Sequence, residues 1–480
     1  MKLSILNLDN KTKDKQKFCP IIDDYLFLAA LSQRNKIKTW FLVTVLFLPS
    51  VGYCEGGLNK GSVYELIKQQ QKTLLQQQKQ IEELRKLVLE QQKIVSQRFD
   101  KAEHKVKTIA RSSAKVSVSK KGLRIKSRGG NFSFQAGGRI HADYAHYNND
   151  ISKMGNGAAL RRARVYFKGK VSKNWRYKAE IDFSENGKVG PRGVWLGYNG
   201  WKPISLKLGN FQESFSLEEM NSSNAITFME RSLANTFAPS YRLGFGASGH
   251  GDFWGLSTGL FADTLSSSKV SDNGNGWAVA SRATLAPLLF ENKLLHLGVS
   301  SEYRQTGARN RIRLRARPES GVTKSYLVNT NYINNVDHTW LIGTELAAVY
   351  GPISLQGEYI HNKVLRTVGT NLDFYGAYVQ GSWFLTGESR PYNAKQGVFT
   401  KLTPLHSYGA WELALRYSTL NLDNNDITGG KEDNYTLGLN WYANYNVRFM
   451  LNYIFVNAHP NRDGIDESSN ILQMRGQLVF

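Results

Sequence analysis

Hydrophobic and polar residues alternate with a period of two over much of residues 129–480. Segment 132–144 sets aromatic, aliphatic and small residues at even positions against polar ones such as Arg139 and Asp143. The same alternation recurs in segments 162–171, 175–183, 411–417, 435–441, 447–455 and 472–480. Because alternate side chains of an extended chain point to opposite faces, each segment predicts a strand with one apolar face.

These strands differ from those of a soluble sandwich at their ends. The presumed ends carry Trp, Tyr and Phe, as the aromatic girdles of a membrane barrel do. At roughly 22 residues for each strand with its loop, residues 129–480 would supply about sixteen strands. We therefore predict an all-β fold, a transmembrane antiparallel β-barrel of about sixteen strands.

A seven-residue repeat precedes the predicted barrel. One position of the repeat is hydrophobic at Ile67, Leu74, Ile81, Val88, Val95, Ala102 and Ile109, and a second holds Gln70, Gln77, Leu84 and Gln91. The two positions form the a/d seam of a coiled coil, and amides in the d layer can hydrogen-bond across a bundle axis. We predict a self-associating coiled coil at 63–111, a trimer, followed by a linker at 112–128. A lone amphipathic helix packed on another surface is the alternative.

Residues 1–54 have the pattern of a secretory leader. A basic stretch precedes an apolar h-region at 40–53, which is too short to span a bilayer comfortably. A cut ahead of Glu55 would remove both cysteines, Cys19 and Cys54, whereas lipidation of Cys54 is the alternative. The leader predicts export, and the coiled coil would then lie in the periplasm.

The net charge of +23 indicates an anionic partner, whether nucleic acid, lipid phosphate or small anions. Its most concentrated source is a run of alternating arginines: Arg309, Arg311, Arg313, Arg315 and Arg317. In an extended chain these five side chains share a face and repel one another, so they must face water or anions. The opposite face is apolar enough to pack. We interpret the run as a ladder for anions; a basic hairpin that only promotes solubility is the alternative.

Candidate catalytic and metal-binding motifs are weak. The glycines from Gly244 to Gly249 match a dinucleotide fingerprint, but no helix follows them. His141 and His146 differ in parity and would point to opposite faces of one strand. No nucleophile elbow, paired-His helix or cysteine cluster occurs in the sequence. We predict no enzyme activity, no cofactor and no metal.

Several longer motifs stand in order between residues 130 and 480. They are Arg161–Arg164, Gly209–Glu218, Ser222–Ser223, Phe228–Ser232, Arg311–Glu319, Gly351–Tyr359, Phe384–Glu388, Gly409–Leu413, Arg416–Tyr417, Asn440–Tyr442 and the terminal Phe480. In these motifs the chain resembles the phosphate-selective porin O/P family of Gram-negative outer membranes.

The resemblance implies a sixteen-stranded trimeric channel that passes anions. A loop folded into the lumen would carry Ser222 and Ser223, with Arg231 nearby, and form an anion-binding constriction fed by the arginine ladder. Further anion-binding candidates are Arg139, Arg162, Arg164, Lys168 and Lys207. Asp182 would keep binding weak enough for release, and Phe480 would serve as an assembly signal. Closely spaced cations in a low-dielectric wall focus the field on anions.

One departure from the family concerns the serine pair. By the resemblance, phosphate-specialised members flank it with lysines, whereas this chain has Glu219 and Asn224. The implied solutes are therefore small inorganic anions in general, with phosphate or polyphosphate among them.

The expected partners are those of an outer-membrane homotrimer: outer-membrane lipid, lipopolysaccharide and the barrel assembly machinery, but no nucleic acid. Two alternatives remain, a general diffusion porin and a structural or adhesive barrel that binds anionic surface polysaccharide.

Overall fold

The computed structural model describes residues 60–112, 114–185, 188–262, 275–308, 310–460 and 466–480. The predicted leader and Arg309 lie outside the described residues. The chain divides into two compact units, Met1–Lys101 and Ala102–Phe480.

Helix α1 spans Lys60–Ser112, which confirms the helix predicted at 63–111. Glycine and proline are absent from 62–112, so no residue interrupts the backbone hydrogen bonds. The seam side chains from Ile67 to Val95 are at least half exposed in the single chain. None of the described helices is long and apolar enough to cross a membrane. Self-association through the seam stays a prediction.

The segment predicted as a linker, 112–128, contains a hairpin instead. Its strands are β1 (Lys115–Ser119) and β2 (Gly122–Lys126), and β2 pairs with the start of the first barrel strand. Gly122 turns the chain with φ +87°, a conformation that favours glycine.

Sixteen antiparallel strands of the described residues close into one barrel, because the last of them pairs with the first. They are β3 (Ser133–Asn148), β4 (Gly157–Lys170), β5 (Trp175–Glu185), β6 (Lys188–Tyr198), β7 (Ser205–Gln212), β8 (Tyr241–His250), β9 (Trp254–Phe261), β10 (Asn275–Leu289), β11 (Lys293–Gly307), β16 (Val336–Tyr350), β17 (Ile353–Arg366), β18 (Leu372–Phe384), β21 (Ala410–Asn424), β22 (Ile427–Tyr442), β23 (Val447–His459) and β24 (Glu467–Val479). The predicted fold class is confirmed. We call the end where β3 begins and the chain terminates the near end, and the opposite one the far end.

Alternation along the strands separates the two faces of the barrel wall. Leu437 and Phe449 are about half exposed on the outer surface, and Trp441 stacks between Trp411 and Phe449. The intervening residues of the same strands, such as Asn440, point inward and are buried. The apolar faces therefore lie on the outside of the barrel rather than in a sealed core.

Three loops of the described residues fold into the barrel. The inner loop, residues 213–240, follows β7 and contains helix α2 (Leu217–Met220) and a 3₁₀ turn (Leu233–Thr236). The arginine loop, residues 308–335, joins β11 to β16, and the near-end loop, residues 385–409, joins β18 to β21. Their short strands are β12 (Arg311–Ile312), β13 (Arg315–Ala316), β14 (Val328–Asn329), β15 (Ile333–Asn334), β19 (Tyr392–Asn393) and β20 (Val398–Phe399).

The core of the barrel forms where these loops meet the wall. Phe215 and Leu233 of the inner loop and Ala316 of the arginine loop pack with Phe374 and Leu420 of the wall. Burying apolar side chains stabilises each by roughly 1.5–3 kcal/mol. This packing holds two loops from the far end within the lumen.

Candidate functional site

Three adjoining cavities run along the inside of the barrel. The central cavity has a volume of about 520 Å³, and it shares Arg161, Arg231 and Asn235 with a far cavity of about 260 Å³. On its other side it shares Lys207, Met220 and Gln396 with a near cavity of about 240 Å³. The shared lining makes the three cavities a continuous candidate path past the inner loop.

The lining of the central cavity is strongly basic. Its described residues include one carboxylate, Glu219, and eight basic side chains: Arg139, Arg161, Arg162, Arg164, Lys178, Arg192, Lys207 and Arg231. Glu180, Asp182 and Glu230 are not part of this lining but pair with several of these bases, and Glu230 lines the far cavity. Among the described residues, eight positive charges minus four negative ones leave an excess of four. An excess of this kind attracts anions and repels cations.

A β-bulge brings two consecutive arginines to the same face of β4. His141 pairs with Arg162 and Ala142 pairs with Leu160, so Arg161 is an extra residue in the ladder. A bulge turns two neighbouring side chains toward one side of the sheet. Strict alternation along the strand predicts only Arg162 and Arg164 on the lumen side. Arg161 is thus a cavity residue that the sequence pattern missed.

The two serines stand at this cavity on the inner loop. Arg139 donates to the Ser223 hydroxyl at 3.1 Å and lies 3.5 Å from that of Ser222. Ser223 is buried, whereas Ser222 is exposed to the cavity. The structure therefore brings Ser222 and Ser223 together with Arg139.

Arg231 lines the cavity but braces the inner loop with most of its donors. Its Nε donates to the Glu218 carbonyl at 2.9 Å, and its Nη2 donates to the carbonyls of Glu219 and Asn221. The Glu219 carboxylate lies 3.2 Å from the same guanidinium. The negative charge beside the serine pair is therefore compensated by Arg231.

Two other candidates hold different positions from those expected. Asp182 is buried behind Arg164, whose Nε donates to it at 2.7 Å, and it does not line the cavity. Lys168 also lies outside the central cavity, with its Nζ 4.9 Å from the Tyr166 ring. Lys207, a further anion-binding candidate, lines the central cavity.

The described ladder arginines alternate with packed residues, as the sequence pattern predicts. Ile312, Leu314 and Ala316 pack against the core, while the guanidinium groups stack on two tyrosines. Arg311 and Arg313 lie over Tyr332, and Arg315 and Arg317 lie over Tyr326. Within the described part of the chain none of these four forms an ion pair, so their charges stay available. Arg315 and Arg317 line the far cavity.

The carboxylate of Glu230 fixes three arginines around the path. Arg161 donates to it with two hydrogen bonds of 2.9 Å, and Arg475 donates at 2.7 Å. Burial by itself would raise the pKa of Glu230, but Arg161, Arg162 and Arg475 hold that pKa well below its usual range. Glu230 therefore remains ionised and keeps these guanidinium groups in place.

The remaining aromatic and basic residues of the central cavity lie on strands that show too little alternation to be predicted from the sequence. They are Arg192 and Trp195 of β6, Phe211 of β7 and Tyr241 of β8. β7 has eight residues and β6 pairs irregularly with β5, which leaves little alternation to detect. Among the described residues, no group of three or more His, Cys, Asp and Glu is arranged to hold a metal ion.

The family model described as phosphate-selective porin O and P matches residues 134–480. Porin O of Pseudomonas aeruginosa is 29% identical over 415 residues, covering 76% of this chain and 92% of that protein. An uncharacterized protein of Caulobacter vibrioides is 31% identical over 378 residues, covering 73% and 75% respectively.

Among solved structures, the trimer form of OmpT from Vibrio cholerae is similar at a TM-score of 0.49 and 10% identity, covering 73% of this chain and all of that one. The anion-selective porin from Comamonas acidovorans is similar at a TM-score of 0.47 and 11% identity, with the same coverage. The family match extends from the first barrel strand to the last residue. The chain therefore belongs to the phosphate-selective porin O and P family, and it is an outer-membrane channel protein rather than an enzyme.

Proposed function

We propose that the chain forms a water-filled, anion-selective channel in which the arginine loop feeds the central cavity. The observation that carries this proposal is the excess of four positive charges around that cavity. Among the described residues, the buried Nε–H groups of Arg139 and Arg162 have no hydrogen-bond partner, which supports a bound anion there. Buried donors without a partner are costly, and an anion passing through the cavity would satisfy them.

The path through the three cavities supports a simple sequence of events. An anion entering at the far end meets Arg315 and Arg317. Both guanidinium groups stack on the Tyr326 ring, which holds the side chains in place without neutralising their charge. It then passes to the central cavity, where Ser222 can donate its hydroxyl proton to an oxyanion. The carboxylates behind the wall, Asp182 among them, reduce the attraction so that the anion can leave.

We propose phosphate or a related oxyanion as the solute. Guanidinium groups bind oxyanions with paired N–H donors, and hydroxyl groups add directional hydrogen bonds. The two residues that flank the serine pair, Glu219 and Asn224, do not place an uncompensated negative charge beside such an anion. Arg231 compensates Glu219, and the Asn224 amide oxygen lies 3.1 Å from the His141 ring.

We further propose a homotrimer with α1 as a periplasmic coiled coil. Outer-membrane lipid, lipopolysaccharide and the barrel assembly machinery are the proposed partners. Phe480, the proposed assembly signal, exchanges two backbone hydrogen bonds with Gly138 at the near end and is partly exposed.

Reversal of charge on the ladder tests the channel proposal. In the double variant Arg313→Glu with Arg315→Glu, the zero-current potential in a KCl gradient should shift from a value that indicates anion preference toward one that indicates cation preference. The control is Arg85→Glu with Lys86→Glu in α1, which makes the same change in net charge and should leave the potential unaltered. Both are measured on purified protein in planar bilayers.

The other outcomes identify the rival functions. An ohmic current with little ion preference, unaffected by the ladder variant, would indicate a general diffusion porin. A barrel that folds but conducts no current would favour a structural or adhesive role.

A further inference from the structure

One side of the central cavity is aromatic rather than basic. Trp195, Phe211 and Tyr241 line it together with Lys207, while Arg139 and Arg162 belong to the basic lining. Phe211 packs edge-on against Phe261 with ring centroids 5.2 Å apart, and Trp195 packs against the same buried cluster. The aromatic side is therefore a braced surface and not a set of mobile side chains.

Lys207 lies where the aromatic rings and the cavity meet. Its Nζ is 5.1 Å from the Trp195 ring centroid and 5.0 Å from that of Phe211. Among the described residues no carboxylate pairs with it. The ammonium group can thus hold an anionic group directly beside two ring faces.

A glycine keeps the aromatic surface open. Gly193 lies in the cavity lining, and a Cβ placed there would sit 3.7 Å from the Tyr241 ring and 3.6 Å from the Lys178 Nζ. Any larger side chain at this position would occupy the space between an aromatic ring and a lysine. The open space is lined on one side by a π surface and on the other by a cation.

The size of the cavity exceeds what a simple oxyanion needs. Orthophosphate has five heavy atoms, whereas a volume of 520 Å³ falls in the ~300–1,000 Å³ range of sites for small organic ligands. Inorganic phosphate would use the arginines, the lysine and the serine but would leave the aromatic surface in contact with water alone. An anion carrying an apolar ring would use both sides.

We infer that the central cavity favours small organic anions that carry a planar apolar group, such as aromatic phosphate esters, over inorganic phosphate. This inference rests on the proposed anion channel and names its class of solute. The anionic group lies among Lys207 and the arginines, and the ring lies against Trp195 and Tyr241, while the buried Phe211 supports Trp195 from behind. Ring contacts of this kind strengthen retention of the solute in the cavity.

Current block by matched phosphate esters tests the inference on the purified full-length porin. After the zero-current potential has been measured, the chloride current is titrated with phenyl phosphate, methyl phosphate and inorganic phosphate. Phenyl phosphate should block at a concentration about tenfold lower than methyl phosphate. Trp195→Ala should weaken the phenyl phosphate block by about threefold to tenfold. Block by inorganic phosphate should change by less than about twofold, because its contacts are polar.

Three further variants make the result specific. Trp195→Phe keeps a ring and should recover most of the phenyl phosphate block. Trp340→Ala removes an exposed tryptophan from the outer face of β16 and should have no effect on block. Tyr241→Leu removes a different ring from the cavity, so the prediction can be tested even if Trp195→Ala does not fold.

The outcomes separate this inference from the channel proposal. An anion-selective protein blocked equally by phenyl and methyl phosphate would overturn the inference and leave the channel intact. Equal loss of phenyl phosphate and inorganic phosphate block in Trp195→Ala would overturn it as well. A protein without anion selectivity would remove the proposed function and the inference with it.

Discussion

Burial and carboxylate partners distinguish Arg475, which holds the fold together, from Arg311 and Arg315, which remain exposed. Arg475 is fully buried, donates two hydrogen bonds to Asp143 at 2.6–2.7 Å and also pairs with Glu230. Arg311 and Arg315 are exposed and stack on tyrosines without a carboxylate partner among the described residues. A buried guanidinium requires an anion beside it, whereas an exposed one does not. Residue type alone therefore does not assign the role.

Lys401 is a residue whose charge should respond to pH. It lies on the near-end loop with its Nζ 3.9 Å from the Tyr445 ring centroid. This Nζ is buried and has no hydrogen-bond partner among the described residues. Burial lowers the pKa of Lys401 to about 8, and repulsion from Lys120 and Arg139 acts in the same direction. Burial raises the pKa of Tyr445, so the phenol stays neutral. Lys401 is thus charged below about pH 8 and neutral above it.

We expect anion selectivity to fall as the pH rises from 7 to 9, because Lys401 loses its charge near Arg139 and the central cavity. The zero-current potential in a KCl gradient, measured at pH 7, 8 and 9, gives the size of the change. Lys401→Arg should keep the pH 7 selectivity throughout, since a guanidinium does not titrate in this range. A pH response that persists in Lys401→Arg would assign it to another group.

At the scale of the elements, the inner and arginine loops are held to the wall by a shared buried arginine. Arg416 of β21 lies 2.5 Å from Glu319 of the arginine loop and 3.5 Å from Glu218 of the inner loop. It also donates to the Glu230 carbonyl at 3.0 Å and lies over the Phe228 ring. Arg416 therefore links both loops to one strand, in addition to their apolar packing on the wall.

Arg416→Met should loosen both loops without opening the barrel. Removing one partner leaves buried carboxylates uncompensated, at a cost of roughly 3–5 kcal/mol in the free energy of unfolding. We expect a lower midpoint in denaturant titration and a larger, noisier conductance, because the loops no longer stay in the lumen.

The matched control is Arg366→Met. It removes an ion pair with the exposed Asp426, and its cost should stay within about 1 kcal/mol. A conductance unchanged in Arg416→Met would show that other contacts hold the loops.

For the whole molecule, the exposed apolar seam of α1 is the surface through which we expect the helix to associate with further copies of itself. Ile67, Leu74 and Ile81 are each at least half exposed in the single chain. Burying such a seam in a bundle removes it from water, and the Gln layer can fix the register. This supports the proposed trimer independently of the barrel.

A peptide of residues 60–112 should sediment as a trimer and unfold cooperatively on heating. Ile81→Lys with Val88→Lys should convert it to a monomer of low helicity, because an isolated helix is marginal in water. Gln76→Lys with Gln97→Lys adds the same charge away from the seam and should remain a trimer. Analytical ultracentrifugation and circular dichroism measure both properties; a monomeric wild-type peptide would contradict the proposed coil.

The local sequence pattern predicts the strands, but it does not predict where the site residues lie. The strands at 132–144, 435–441 and 447–455 were recognisable because their two faces meet different solvents. By contrast, the inward turn of Arg161 depends on pairing of β4 with β3, and the positions of Asp182 and Lys168 depend on which cavity the loops leave open. No local pattern contains that information.

The amino-acid pattern alone predicts the barrel strands and the helix, because the environment on each side of an element selects residues with a period of two or seven. It also determined that the arginine loop presents its charges on one face. Three features follow from the three-dimensional packing instead: which of these charges are paired, where Trp195 and Lys207 meet the arginines, and how large the space between them is. Those features arise from contacts between residues far apart in the chain, which close only when the barrel and its loops pack together.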